Sequence, residues 1–209
     1  MELKPTMKKL ILSLFLVAVV FLSRAQTINF GLKAGLNLAI QDHGSYGLGD
    51  GYIAGFNAGG IMDISFPHFS IQPGLIFSIK GETNTNKFNI INPVDGSYSY
   101  SATRLDYLEV PVCFLYNSNA INGISFHFGG GPYIATAVAE TDVTRGDANS
   151  THTINYKNPD LGLGLVGGVT LNKRILVDAC YQYGLLNISK ANYATHNTVI
   201  SLSAGYLFR

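Results

Sequence analysis

Along most of this chain, polar and apolar residues alternate one for one. In residues 28–38 one set of positions is Ile28, Phe30, Leu32, Ala34, Leu36 and Leu38, and the interleaved set is Asn29, Gly31, Lys33, Gly35 and Asn37. The first set is wholly apolar and the second is polar or glycine. That period of two belongs to a strand and not to a helix. Residues 52–66 repeat it, with Tyr52, Ala54, Phe56, Ala58, Met62, Ile64 and Phe66 opposed to Asn57, Asp63 and Ser65. Residues 69–79 follow, with Phe69, Ile71, Leu75, Phe77 and Ile79 opposed to Ser70, Gln72 and Ser78. The runs 105–116, 124–138, 161–171, 175–183 and 198–208 behave alike, which predicts an all-β chain of eight strands.

The links between these runs also alternate. Pro67-His68, residues 117–123 and Asn172-Lys173-Arg174 are short, whereas residues 41–51, 81–103, 140–159 and 185–197 are long. Short turns at one end and long loops at the other are the pattern of an up-and-down transmembrane barrel. Composition points the same way. The chain is 47% hydrophobic and only 13% charged, yet no stretch after residue 25 is apolar and long enough for a spanning helix. Alternating strands spread apolar residues in that manner. In hydrocarbon the strands must pair all round, because no water satisfies a free sheet edge. Tyr52, Phe66, Phe69, Tyr116, Tyr181, Tyr183, Tyr206 and Phe208 lie near strand ends, where they predict an interfacial girdle. A soluble barrel would instead turn its large apolar residues inward. The expected fold is an eight-stranded antiparallel β-barrel of the outer-membrane type.

The N-terminus supports export. Met7-Lys8-Lys9 is a positive start, residues 10–22 form an apolar run of thirteen broken only by Ser13, and Ser23-Arg24-Ala25 offers small residues for cleavage. This predicts a signal peptide over residues 1–25 and a barrel domain over residues 26–209. An uncleaved anchor would need roughly 20 apolar residues. The first 25 residues hold Lys4, Lys8, Lys9 and Arg24 against Glu2, so the remainder carries ten basic and twelve acidic residues, a formal charge of −2. With no basic cluster, nucleic acid is not an expected partner. With eight strands, both termini fall at the short-turn end, which the export route makes periplasmic.

Gly31-Leu32-Lys33-Ala34-Gly35-Leu36-Asn37, Gln72-Pro73-Gly74-Leu75, Leu105-Asp106-Tyr107-Leu108-Glu109-Val110-Pro111-Val112 and Gly129-Gly130-Gly131-Pro132-Tyr133 resemble the PorT family of outer-membrane barrel domains. Leu161-Gly162-Leu163-Gly164 and Tyr183-Gly184-Leu185-Leu186-Asn187-Ile188 are similar too. The Tyr-Leu-Glu-Val-Pro segment is the most specific. The C-terminal Ala204-Gly205-Tyr206-Leu207-Phe208-Arg209 resembles the aromatic-ended signal read by barrel-insertion machinery, from which Arg209 departs slightly. The resemblance implies a fold, a location in the outer membrane of a Gram-negative bacterium, and a link to protein secretion. That link rests on the fold, and one fold hosts many functions.

The inward phase of the strands carries Lys33, Asp63, Lys80, Glu109, His127 and Asp178, together with Asn57, Gln72 and Gln182. An eight-stranded lumen is filled by side chains, so these charges must pair. The expectation is a structural polar network with Glu109 as its central acid, paired with Lys33 or Lys80. The alternative is a narrow polar or proton path. Pro111 cannot donate to a ladder, so a bulge beside Glu109 is expected. Gly162, Gly164 and Gly167 match G-x-G-x-x-G, but no helix follows, and the expectation is lumen glycines beside large neighbours. Cys113 and Cys180 share the inward phase on strands that are not neighbours, which favours two free thiols. No spacing of His, Cys and Asp suggests a metal, and no cofactor is expected.

The loop residues that could form a hydrolytic site are His43 near Asp42, Ser45 and Asp50, His152 near Ser150 and Thr151, and His196. Nothing in their spacing fixes a triad, so no enzyme is expected. The function expected from sequence is a non-enzymatic outer-membrane barrel with a structural or interaction role, linked to secretion or envelope assembly as the resemblance implies. Its expected partners are outer-membrane lipid, the insertion machinery and secretion or envelope proteins. A narrow solute conduit is one alternative, and an enzyme with a loop-borne site is another.

Overall fold

In a computed structural model, the described residues are 27–44, 47, 51–85, 100–144, 150–151, 156–190 and 194–208. They form nine strands: β1 (Thr27–Asp42), β2 (Ile53–Ser65), β3 (Phe69–Thr85), β4 (Tyr100–Asn117), β5 (Ile124–Thr144), β6 (Ser150–Thr151), β7 (Asp160–Leu171), β8 (Ile175–Gly184) and β9 (His196–Phe208). β6 is a two-residue strand that pairs with Thr141 and Asp142 beyond the barrel circuit. The other eight run antiparallel in the order β4-β3-β2-β1-β9-β8-β7-β5, and β4 also pairs with β5, so the sheet closes. Phe30 pairs with Phe208 where the first and last strands meet, which sets both strand termini at the short-turn end.

The apolar phase faces outward. Phe30, Leu32, Leu36, Phe126, Phe128, Leu165 and Leu202 are all exposed, while Asn29, Asn37 and Asp63 are buried. Rings gather on the outer surface near the turns, with Phe66 stacked on Phe69 at 4.2 Å and Tyr116 beside Phe128 at 5.3 Å. The turn between β7 and β8 shows why those links are short. Asn172 and Lys173 both adopt left-handed φ, 49° and 59°, and Arg174 N donates to Leu171 O at 3.0 Å. Two successive residues with positive φ match the twist of a tight hairpin, and asparagine tolerates that region well.

Three expectations need correction. Several strands outrun their alternating stretch: β5 continues to Thr144 rather than residue 138, and β3 to Thr85 rather than residue 79. The bulge does not lie at Pro111. Pro111 keeps its register against Tyr133, and the shift falls between Asp106 and Tyr107, opposite Val138. Pro73 and Pro111 interrupt their ladders without moving them, because the pairs on either side keep one register. Finally, Gly167 faces outward with open space beside it, so only Gly162 and Gly164 of the glycine motif face the lumen.

The interior is not uniformly polar. Ile61, Ile76, Leu176 and Leu207 form a buried apolar cluster toward the short-turn end. Leu105, Tyr107, Tyr133, Ala135, Ala137 and Ile188 form a second one toward the long loops. The charged groups lie in this frame.

Candidate functional site: the barrel interior

All six predicted network residues point into the barrel, and five of them join two clusters, one around Lys80 and one around Asp178. β3 carries Lys80 inward, with Nζ 2.9 Å from Glu109 Oε2 on β4 and 3.7 Å from Asp160 Oδ2 on β7. The same ammonium sits 4.2 Å from the Tyr133 ring centroid and 5.2 Å from that of Tyr107. Both distances lie within cation–π range. Gln182 Nε2 donates to Glu109 Oε1 at 2.6 Å, and Asn197 Nδ2 donates to Asp160 Oδ2 at 2.9 Å and to the Tyr107 hydroxyl at 3.1 Å. Tyr133 donates its hydroxyl proton to Asp160 at 3.3 Å. Gly162 makes this layer fit: a Cβ there would stand 2.6 Å from the Tyr133 ring.

The second cluster is centred on Asp178 of β8. Lys33 Nζ lies 2.5 Å from Asp178 Oδ2, and His127 Nε2 lies 2.8 Å from Asp178 Oδ1. The other ring nitrogen of His127 faces Thr170 Oγ1 at 3.2 Å. Gly168 leaves the space, since a Cβ there would stand 2.6 Å from His127 Nε2 and 2.7 Å from Asp178 Oδ1. Glu109 therefore takes Lys80 as its cation, and Lys33 belongs to Asp178. Asp63 stands apart from both clusters, bonded to Ser65 and, at 3.4 Å, to Gln72.

An uncharged layer fills out the interior. Asn57 Nδ2 donates to Asn37 Oδ1 at 2.7 Å, Asn37 Nδ2 donates to Ser78 Oγ at 3.1 Å, and Ser203 Oγ donates to Asn57 Oδ1 at 3.2 Å. A cavity of about 70 Å³ remains, lined by Lys33, Glu109, Cys113, Cys180 and Gln182 among others. Both cysteines are free thiols facing that cavity. A wider cup of about 320 Å³ lies at the short-turn end, with Asp63, Ser70, Gln72, Asn117 and Thr170 in its wall.

The sequence missed Tyr107, Tyr133, Asp160, Asn197 and Ile188 as interior groups. Parity could have found the first three. Tyr107 shares the phase of Glu109, Tyr133 that of His127, and Asp160 that of Gly162. Asn197 and Ile188 lie in what reads as a loop, where no period exists.

Of the loop residues, His43 does not meet Asp42. Its Nε2 lies 2.9 Å from Glu82 Oε2 and its Nδ1 lies 3.1 Å from Thr195 Oγ1. Thr195 is only 1% exposed, so this chain of three groups ties a loop to the wall and presents no open hydroxyl. His196 stacks on Tyr183 at 5.9 Å. Ser45, Asp50 and His152 lie outside the described residues. Among the described residues, no three His, Cys, Asp or Glu side chains are grouped to hold a metal ion.

A closed eight-stranded sheet with an apolar outside, aromatic rings near the turns and a paired polar inside defines the class of the protein: a transmembrane β-barrel of the outer-membrane type. The chain belongs to the outer membrane protein beta-barrel domain family, whose profile matches residues 23–190. That places it in the outer membrane of a Gram-negative bacterium. Among solved structures it is similar to Neisserial surface protein A, at 12% identity and a TM-score of 0.50, with 86% of this chain and 97% of that one covered. It is also similar to the attachment invasion locus protein Ail of Yersinia pestis, solved with the heparin analogue sucrose octasulfate. That match has 14% identity and a TM-score of 0.45, covering 87% of this chain and 99% of the other. The outer membrane protein OprG of Pseudomonas aeruginosa matches at 9% identity and a TM-score of 0.43, with 88% and 97% covered. At these identities the likeness is one of fold. No curated protein matches the chain.

Proposed function

We propose that this protein is a non-conducting, non-enzymatic barrel whose interior serves as its core, and that it acts through contacts made at its two ends. The observation that carries this reading is the Lys80 layer. An ammonium with no exposure lies between Glu109, Asp160 and two tyrosine rings, and it spans the lumen from β3 to β4, β5 and β7. A group held on all sides is poorly suited to passing solutes. An eight-stranded barrel is also only wide enough for its own side chains.

On this reading residues 1–25 are a signal peptide removed on export, and both ends of the barrel domain stand in the periplasm. The interaction role is the one implied by the PorT-like segments, a part in secretion or envelope assembly. Surface loops carried on a rigid scaffold are the usual place for such contacts. Planar-bilayer recording separates this from a conduit: no resolved current steps are expected, and regular steps would favour the conduit. For the interaction role, the tagged full-length protein is drawn from envelope extract. Recovery of secretion proteins is expected. Recovery of insertion machinery alone would count against the secretion role.

A further inference from the structure

The inward acids are not equally matched. Lys80 serves Glu109 and Asp160, and Lys33 and His127 serve Asp178. Asp63 has no cation among the described residues. It is 6% exposed, and its two partners, Ser65 and Gln72, are neutral. A buried carboxylate ordinarily has a positive partner. Asp63 stands in the wall of the 320 Å³ cup at the short-turn end. We propose that this cup is a binding site for a primary ammonium group on a short alkyl chain, with Asp63 as its counter-charge.

Other groups of the cup fit the same ligand. Gln72 Nε2 donates to Asp63 Oδ1 at 3.4 Å, and Asn117 Nδ2 donates to Ser70 Oγ at 3.1 Å. Each amide thus has its nitrogen engaged with a neighbour and its carbonyl oxygen left over, and both residues line the cup. An ammonium has three donors and no acceptor. One carboxylate and two amide oxygens supply three acceptors, and a carboxylate bonds most strongly to a charged donor. Leu115, Leu176 and Leu207 line the same cup and are buried. They give the methylenes behind the ammonium an apolar wall to pack on.

Three features narrow the class. A hard divalent cation is held by several oxygen ligands at once, carboxylates among them, whereas Asp63 is the only acid lining this cup. A volume of 320 Å³ is the share of about ten waters, far more than one ion fills. Lys173 lines the cup from the β7–β8 turn, across the barrel from β2, and its side chain is exposed. A like charge there disfavours a ligand with a second ammonium at its far end. Two sources carry the remaining chemistry, a free small amine and the side chain of a lysine on another protein. That the cup faces the periplasm rests on the proposed topology, and that it takes an amine does not.

The test is a titration of the full-length protein, folded in neutral maltoside micelles and followed by backbone amide NMR shifts. n-Butylammonium chloride should give saturable shifts at residues 63, 70, 72 and 117 and leave those around Lys80 in place. n-Butanol has the chain without the charge, and tetramethylammonium has the charge without a donor. Each should bind at least about tenfold more weakly. Asp63→Asn keeps the shape and should weaken butylammonium on the order of tenfold to a hundredfold. Shifts that never saturate, equal binding of tetramethylammonium, or unchanged affinity in Asp63→Asn would each overturn the site. If Asp63→Asn does not fold, the three ligands on the unaltered protein decide alone. Nα-Acetyl-lysine N-methylamide separates the sources: binding as tight as that of butylammonium supports a lysine side chain, and its exclusion supports a free amine. The Lys80 layer takes no part in these readings. Regular current steps in a bilayer would remove the non-conducting reading and leave the cup, and a titration that never saturates would do the reverse.

Discussion

Two lysines point into the lumen, and their surroundings differ. Lys80 has no exposure and sits among two carboxylates and two tyrosine rings. The Lys33 side chain keeps 15% of its surface exposed, borders the 70 Å³ cavity, and shares one carboxylate with His127. The first cluster resembles the dry interior of a soluble protein, and the second has a partly exposed lysine that borders a cavity. The difference follows from neighbours. The Tyr107 and Tyr133 rings cover Lys80, whereas Lys33 borders a cavity lined in part by Asn37, Asn57, Ser201 and Ser203. A charge without water depends on its partners, so the two ends of the lumen should answer differently to the same substitution.

Lys80→Met should have the largest effect. It strands Glu109 and Asp160 in a dry site, and the expected loss is about 3–5 kcal/mol by urea unfolding in micelles. A loss no larger than that of Lys33→Met would erase the contrast. Glu109→Leu should follow at about 2–4 kcal/mol, since Lys80 keeps Asp160 only at 3.7 Å. An unchanged melting temperature in detergent would count heavily against the network. Gly168→Ala probes the Asp178 cluster through its space. The new Cβ would crowd the Val177 carbonyl oxygen at 2.4 Å and His127 and Asp178 at 2.6 and 2.7 Å, for an expected ~1–3 kcal/mol. Gly167→Ala, one residue along and facing open space, should stay within about 0.5 kcal/mol. Lys33→Met should be mild, about 1 kcal/mol, because the Lys33 side chain is partly exposed and His127 still serves Asp178.

The strands and their facing were legible because lipid imposes a period. Where one face meets hydrocarbon, every second residue must be apolar, and the pattern in residues 28–38 states both the strand and its orientation. Legibility stops where that demand stops. β3 and β5 run on past the lipid-facing belt, and Glu82 and Glu140 lie on extensions that carry no alternation. Inside, the sequence marked charges but not their company. Parity put Lys33, Lys80, Glu109 and Asp178 on one face, yet which lysine meets which acid depends on the stagger of strands around the barrel. Ile61, Ile76, Leu176 and Leu207 were hidden differently: apolar residues on the inward phase break the alternation and look like noise. Ile188 has no local signal at all, since its burial comes from a loop folding back.

On the proposed reading the interior is a paired polar core rather than a passage. A double-mutant cycle on Lys80→Met and Glu109→Leu, read by unfolding free energy in micelles, tests it most directly. The double variant should be more stable than the summed single losses imply, by about 2 kcal/mol or more, because each single change leaves a buried charge that the other relieves. Losses that add to within about 0.5 kcal/mol would contradict it.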